Sequence, residues 1–465
     1  MKENINKNTF SLRYFITGLF ILVCIAVNGQ NTSMQKEKGK LRISVFDIDA
    51  TPPVGTILAY NPEVNTWDLG LRARGIVLQG SGQSIVLCSI DWLGIGDEGH
   101  DAFCEELAKA AGTTPERVAV HTVHQHDAPA CDFGAEKILR DAGLNPGKYD
   151  GAFQRQVIKS LGEAVRNSLS KAQPVTRVGY GEAKVYEVAS NRRIIGKNGR
   201  CIASRLSSCT NPALRAKPEG LIDPFVKLVS FWNGDKPVAV LSYYATHPQS
   251  YYRTGIPNPD FPGIARFMRQ LAVPQALHIH FNGAAGNVTA GKYNDGAREN
   301  RLILAERLAD GMKRAWESTT KIPAANLKLG WTTEPVALPP AKDLLLLQDK
   351  NFPTDSLSVK TNSARLAFLR RCQDGKKINI GCLSLGKIRI LHLPGEAFIE
   401  YQLAAKAERK DLFVAVAAYG GYGTGYIGTA VAYKQGGYET GYVSKVSPES
   451  ENILMAAIRK LLQNK

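Results

Sequence analysis

Of the chain's eight histidines, three fall within residues 121 to 126, and Asp127-Ala128-Pro129 then ends the extended segment. His124 and His126 are two residues apart, so on a continuing strand both side chains project to one side. At the carboxyl end of a strand that side opens onto a cleft. His247, in Ala245-Thr246-His247-Pro248, and Glu396, in Leu393-Pro394-Gly395-Glu396, each follow an apolar strand-like run. Taken singly, each has an ordinary structural role, as a packed histidine or as a carboxylate in the first turn of a helix. Taken together, they can converge as a two-histidine, one-carboxylate zinc site with an open position. Such an ion lowers the pKa of bound water and polarises a carbonyl.

Other segments offer less specific chemistry. Phe281 to Thr289 is small and glycine-rich, which lets backbone N–H groups approach a ligand, or simply makes a tight turn. Gly286 to Lys292 fits the P-loop spacing, but Tyr293 occupies the position that needs Ser or Thr for magnesium, so nucleotide binding is excluded. Tyr419 to Tyr442 holds six tyrosines among many glycines, and chemistry alone singles out none of them. Cys201 and Cys209 can form one local bridge or pack as small side chains. No Cys-x-x-Cys pair exists to bind zinc.

The elements that must position these residues alternate between strands and helices. Strands are predicted at 41–47, 84–90, 118–122 and 277–281, with hairpins at 225–232/237–244 and 378–385/388–393. Helices are predicted at 101–111, 151–172, 261–271, 298–316 and 451–462. The order indicates an α/β fold with mixed β-sheets flanked by helices. Residues 335–360, rich in Pro, Asp and Leu, are a candidate lid over an apolar pocket or an inserted loop. No fixed-period repeat and no clean linker is evident, so residues 41–465 are taken as a single large catalytic domain.

Lys2, Lys7 and Arg13 precede an apolar run, Tyr14 to Val27, whose 14 residues are too few to span a bilayer. This is the layout of a secretory signal peptide over residues 1–29, followed by a polar, disordered leader over 30–40, and it predicts an exported protein. The net charge of +16 suits peripheral contact with an anionic membrane surface. The charges are dispersed, without the basic stripe of a nucleic-acid-binding face.

The order of short motifs resembles the neutral, or neutral/alkaline non-lysosomal, ceramidase family. Phe46-Asp47-Ile48-Asp49-Ala50-Thr51-Pro52-Pro53 is similar to its opening strand, and His124-Gln125-His126-Asp127-Ala128-Pro129 to its His-Thr-His-Ser-Gly-Pro. Asn191-Arg192, Ile222-Asp223-Pro224, Thr246-His247-Pro248, Asp260-Phe261-Pro262-Gly263, Gly286-Asn287-Val288-Thr289, Pro394-Gly395-Glu396 and the segment Tyr426 to Glu439 follow in family order. The resemblance covers residues 41 to 462 and implies the catalytic domain of that family without its C-terminal β-sandwich. It implies Zn2+ held by His124, His247, Glu396 and Tyr426, with His126 and Arg192 facing the scissile carbonyl. Thr289 stands at the family's serine, as nucleophile or water-positioning hydroxyl. The implied reaction is hydrolysis of an amide in a lipid or small molecule, such as an N-acyl sphingoid lipid. Besides the missing domain, three substitutions bear on this: Thr289 for serine, Asn287 for aspartate, and Asp127 for a small serine, which is expected to narrow the mouth. They leave open another envelope or carbohydrate-derived substrate on the same zinc scaffold, or a non-catalytic binding protein.

Overall fold

The computed structural model describes residues 40–60, 62–348 and 355–463. The predicted signal peptide and all but the last residue of the leader lie outside the described residues. Three mixed sheets, flanked by helices, carry the fold. In the first, strand Arg42–Asp49 pairs antiparallel with Arg72–Gln79, which turns back into Ile85–Ile90. Helix Asp97–Ala111 then leads to Val118–Thr122, which runs parallel to Ile85–Ile90. The second sheet repeats this plan with strand Arg177–Lys184, hairpin Phe225–Asn233/Lys236–Tyr244, helix Asp260–Ala272 and parallel strand Leu277–Asn282. The third repeats it again with Leu329–Val336, hairpin Ile378–Leu385/Ile388–Pro394, helix Ile399–Glu408 and parallel strand Phe413–Gly420.

The three hairpins begin at residues 72, 225 and 378, in even steps of 153. Each unit closes with a long helix, Ala152–Leu169, Glu299–Glu317 or Ser450–Gln463. The sequence reading of no repeat is therefore corrected at the level of topology. The units share a path of the chain and an apolar pattern, while their connecting loops and side chains differ.

Local sequence explains the units. Ile85–Ile90 and Ile388–Pro394 are buried along their whole length, as strands covered on both faces must be, and both are continuously apolar or small apart from Arg389 and His392. Asn233-Gly234 closes the second hairpin with Gly234 at φ 60°, the left-handed value such a tight turn needs. Gly112, also left-handed, stops the helix Asp97–Ala111 and returns its N–H to the last turn.

The three parallel edge strands meet at the centre. His121 Nδ1 donates to Ala418 O at 2.7 Å, joining first sheet to third. Ser89 Oγ donates to His280 O at 2.6 Å, joining first to second. One apolar cluster draws residues from all three sheets, among them Leu87, Ile279 and Ala415. The loops beyond the strands' carboxyl ends consequently converge on one region.

The candidate lid is partly regular. It contains the end of a strand at Val336 and a short helix, Lys342–Leu345, and it runs into the long helix Ser356–Gln373, which the sequence reading missed. All seven cysteines of the described residues are free, so Cys201 and Cys209 do not form a bridge. Among the described residues no helix is long and apolar enough to cross a membrane.

Candidate metal centre

His124 lies just beyond Val118–Thr122, with its backbone in the left-handed region at φ 69°. For a residue with a Cβ this is a strained conformation. It is held by His124 N donating to Trp92 O at 2.9 Å and by Nδ1 paired with Leu93 O at 2.6 Å. Since a carbonyl only accepts, Nδ1 carries the proton and Nε2 presents a lone pair. Tyr419, at the end of Phe413–Gly420, is also left-handed at φ 63°. Its ring stacks on His124 with centroids 4.4 Å apart.

His247 follows Lys236–Tyr244, and Glu396 follows Ile388–Pro394, as the sequence predicted. Glu396 Oε2 lies 3.4 Å from His124 Nε2 and 3.6 Å from His247 Nδ1. All three atoms are buried and have no hydrogen-bond partner among the described residues. Buried polar atoms in native proteins are nearly always paired, so three orphans facing one another need a reason. His126 Nε2 lies 2.8 Å from His247 Nε2, and the ligand atoms of His124, His126 and His247 all fall within 4.8 Å of one another. Burial first, and then neighbouring His124 and Arg192, push the pKa of both His126 and His247 well below the ordinary value, so both rings are neutral. Neutral imidazoles and a carboxylate are the donor set that zinc takes, so these residues fit a metal.

The other Glu396 oxygen, Oε1, accepts the Tyr422 hydroxyl at 2.8 Å. Tyr422 was hidden among the six tyrosines; only the fold shows that it turns back over Glu396. Tyr426, which the resemblance implied as a ligand, has its hydroxyl 3.4 Å from Arg192 Nη1 and 3.5 Å from Tyr438 Oη. Burial, then the Glu396 charge, hold the Tyr419, Tyr422 and Tyr426 hydroxyls well above the usual range and so protonated.

Arg192 is 2% exposed, and its Nε and Nη2 have no partner among the described residues. Burial opposes its charge, but the nearby carboxylates of Glu439 and Glu396 favour it and keep the guanidinium protonated. The next residue, Arg193, forms a buried ion pair with Glu439 at 3.0 Å, tying this segment to the tyrosine-rich one. His126 stacks on Tyr60, with centroids 4.7 Å apart and planes within 3°. No spacing rule in the sequence pointed to Tyr60.

The three departures noted in the sequence have structural partners. Asn287 donates Nδ2 to Glu400 Oε2 at 2.9 Å and accepts from Ile399 N at 2.9 Å, a pairing that an aspartate would disrupt by facing Glu400. Asp127 does not narrow the mouth: it is fully buried and accepts from Thr254 N and Oγ1, holding the loop that carries Tyr252. Thr289 is fully buried, donates to Arg205 O at 3.3 Å and accepts from Gly291 N at 3.1 Å.

A cavity of about 950 Å³ opens onto the centre, lined by His126, Arg192, His247, Glu396, Tyr422 and Tyr426 among others. Thr289 does not line it, nor does any described residue of 335–360; Thr361, Ala364 and Arg365 of the following helix do. A smaller cavity of about 370 Å³, beyond the segment Gly420–Thr424, is lined by His121 and His392 and holds none of these groups.

No family model and no curated protein matches the chain. Solved structures do. A neutral ceramidase from Pseudomonas aeruginosa aligns with TM-score 0.65 and 16% identity over 91% of this chain and 75% of that one. A ceramidase complexed with C2 aligns with TM-score 0.64 over the same shares, also at 16% identity. The fold is therefore that of the neutral ceramidases, as the order of motifs implied.

Proposed function

We propose that the chain, carrying the neutral ceramidase fold, is an exported zinc-dependent amidohydrolase acting on an N-acyl substrate such as a ceramide-like lipid. The observation that carries this reading is the set of three buried atoms without a hydrogen-bond partner among the described residues, His124 Nε2, His247 Nδ1 and Glu396 Oε2, with His247 and Glu396 lining the large cavity. Zinc held there, with Tyr426 as the fourth donor that the resemblance implies, would supply Lewis-acid activation of water and of the amide carbonyl.

The chain's own groups divide the remaining work. The Leu93 carbonyl fixes the His124 tautomer. One proton lies between the Nε2 atoms of His126 and His247; placed on His247, it leaves His247 Nδ1 free towards Glu396 and puts the His126 proton on Nδ1. Nδ1 of His126 is buried and, among the described residues, unpartnered, so its N–H is free to donate a hydrogen bond to the substrate's carbonyl oxygen. Arg192 offers two unpartnered N–H groups to the oxygen that gains charge. Tyr422 holds the Glu396 carboxylate in place. With its hydroxyl committed to backbone groups, Thr289 fits a supporting role better than that of attacking nucleophile. Export rests on the Lys2 to Ser33 layout alone.

A second reading, amide hydrolysis on a carbohydrate-derived substrate, draws on the aromatic part of the cavity wall. Tyr60, Tyr149, Tyr252, Tyr438 and Tyr442 line it, and among the described residues its larger aliphatic side chains are Leu93, Leu206 and Val443. The deciding experiment is metal analysis before and after chelation, with turnover of ceramide and of N-acetylated sugars. Turnover that persists without zinc, or in the H124A/E396A double variant, ends the metal reading. Turnover of only one substrate class decides between the two.

A further inference from the structure

Two lysines that line the central cavity play no part in the chemistry above. Lys148 comes from the loop before helix Ala152–Leu169, and Lys445 from the segment before helix Ser450–Gln463. Neither forms an ion pair among the described residues. The Lys445 ammonium donates only to Ala364 O, at 3.1 Å, and Lys148 lies over the Tyr149 ring at 5.3 Å. The other charged groups on this part of the wall are largely occupied. Arg365 is paired with Asp343 at 2.7 Å, and Asp132 caps helix Phe133–Asp141 by accepting from Ala135 N.

Lys445 adds to the positive potential at Lys148, while its own charged neighbours include Asp97 and Asp132. Burial first, and then Lys445, lower the pKa of Lys148. Burial lowers that of Lys445, against the pull of Asp97 and Asp132. Desolvated positive charge at the wall of a cavity costs free energy, and an anion received in that cavity recovers part of it through charge-assisted hydrogen bonds. Tyr149 and Tyr442, which line the same cavity, give such a ligand aromatic faces.

We infer that Lys148 and Lys445 form an anion subsite, and that the substrate carries a carboxylate, sulfate or phosphate on a part other than the scissile amide. This rests on the hydrolase reading only in taking the cavity as the substrate site. The charged group can belong to an acyl amphiphile or to an acidic sugar, and the two sources are separable by experiment.

Binding is measured by calorimetry on the full chain carrying E396Q, so that turnover does not intervene, with two matched pairs of probes. One is N-dodecanoylglycine against N-dodecanoylglycinamide; the other is N-acetylglucosamine 6-phosphate against N-acetylglucosamine. The expected result is that the charged member of one pair binds about tenfold tighter than its neutral partner. K148Q should reduce that preference, and K148Q/K445Q should abolish it. Should the double variant fail to fold, K148Q, at the partly buried Lys148, decides alone. Equal binding within both pairs, a preference untouched by K148Q, or no binding of any probe overturns the subsite. Charge preference without turnover by the wild-type chain would keep the subsite and reject the hydrolase; turnover without preference would do the reverse.

Discussion

Tyr422 donates its hydroxyl to Oε1 of Glu396 at 2.8 Å, leaving Oε2 as the oxygen that faces His124 and His247. One carboxylate is thereby split between an orienting contact and a ligand-type contact, the usual arrangement around a metal-bound carboxylate.

The first prediction follows from that split. Y422F should keep the fold but weaken zinc binding by about 10-fold to 100-fold, as loss of an orienting partner does elsewhere. Competition titration with a chromogenic chelator reads this directly. Y426F provides the contrast, because Tyr426 contacts Arg192 and Tyr438 in place of Glu396. A larger loss in Y426F than in Y422F would make Tyr426 the ligand.

Arg192 supports a second prediction. R192K keeps one positive charge but loses the planar fork of donors, so kcat should fall by about 10² to 10³. Zinc content should be unchanged. If the loss is confined to KM, the guanidinium binds substrate and does not stabilise developing charge.

Thr289 gives a third. Its hydroxyl satisfies Arg205 O and Gly291 N inside the protein, so T289V should cost about 2 kcal/mol in denaturant unfolding, the scale of leaving buried groups unpaired. T289S should restore stability, and the folded fraction of each variant should turn over substrate. A stable T289V chain with no activity would return Thr289 to the role of nucleophile.

How much of this was legible beforehand depended on whether a residue's role is set locally. His124, His247 and Glu396 each follow an apolar strand, and a strand end is a local signal. Helix boundaries were read to within a few residues where one face is apolar, as in Glu299–Glu317. Helix Ser356–Gln373 escaped because it buries Asn362, Ser363 and Arg365 alongside Phe368 and Leu369, leaving no clean apolar stripe. Tyr422 and Tyr60 were illegible because their partners lie far away in the chain. The threefold plan was hidden for another reason: topology repeats where only apolar character, not residue identity, has to repeat.

Asp97 supports the last prediction. Its backbone is left-handed at φ 45°, it is buried, and its Oδ2 has no partner among the described residues. Burial, and then the neighbouring Asp132, raise its pKa from 3.8 to about 8. Ionising it therefore costs the folded state: its favourable contribution is fully present below the unfolded value of 3.8 and is lost as pH rises through about 8. Asparagine tolerates the left-handed backbone and cannot ionise. D97N should therefore gain in Tm over the wild type steadily as pH rises from about 5 towards 8, while the two proteins converge near pH 4. Parallel Tm curves across that range would mean that Asp97 keeps an ordinary pKa in the folded chain, with Lys445 and Arg371 supplying enough positive charge to hold its carboxylate.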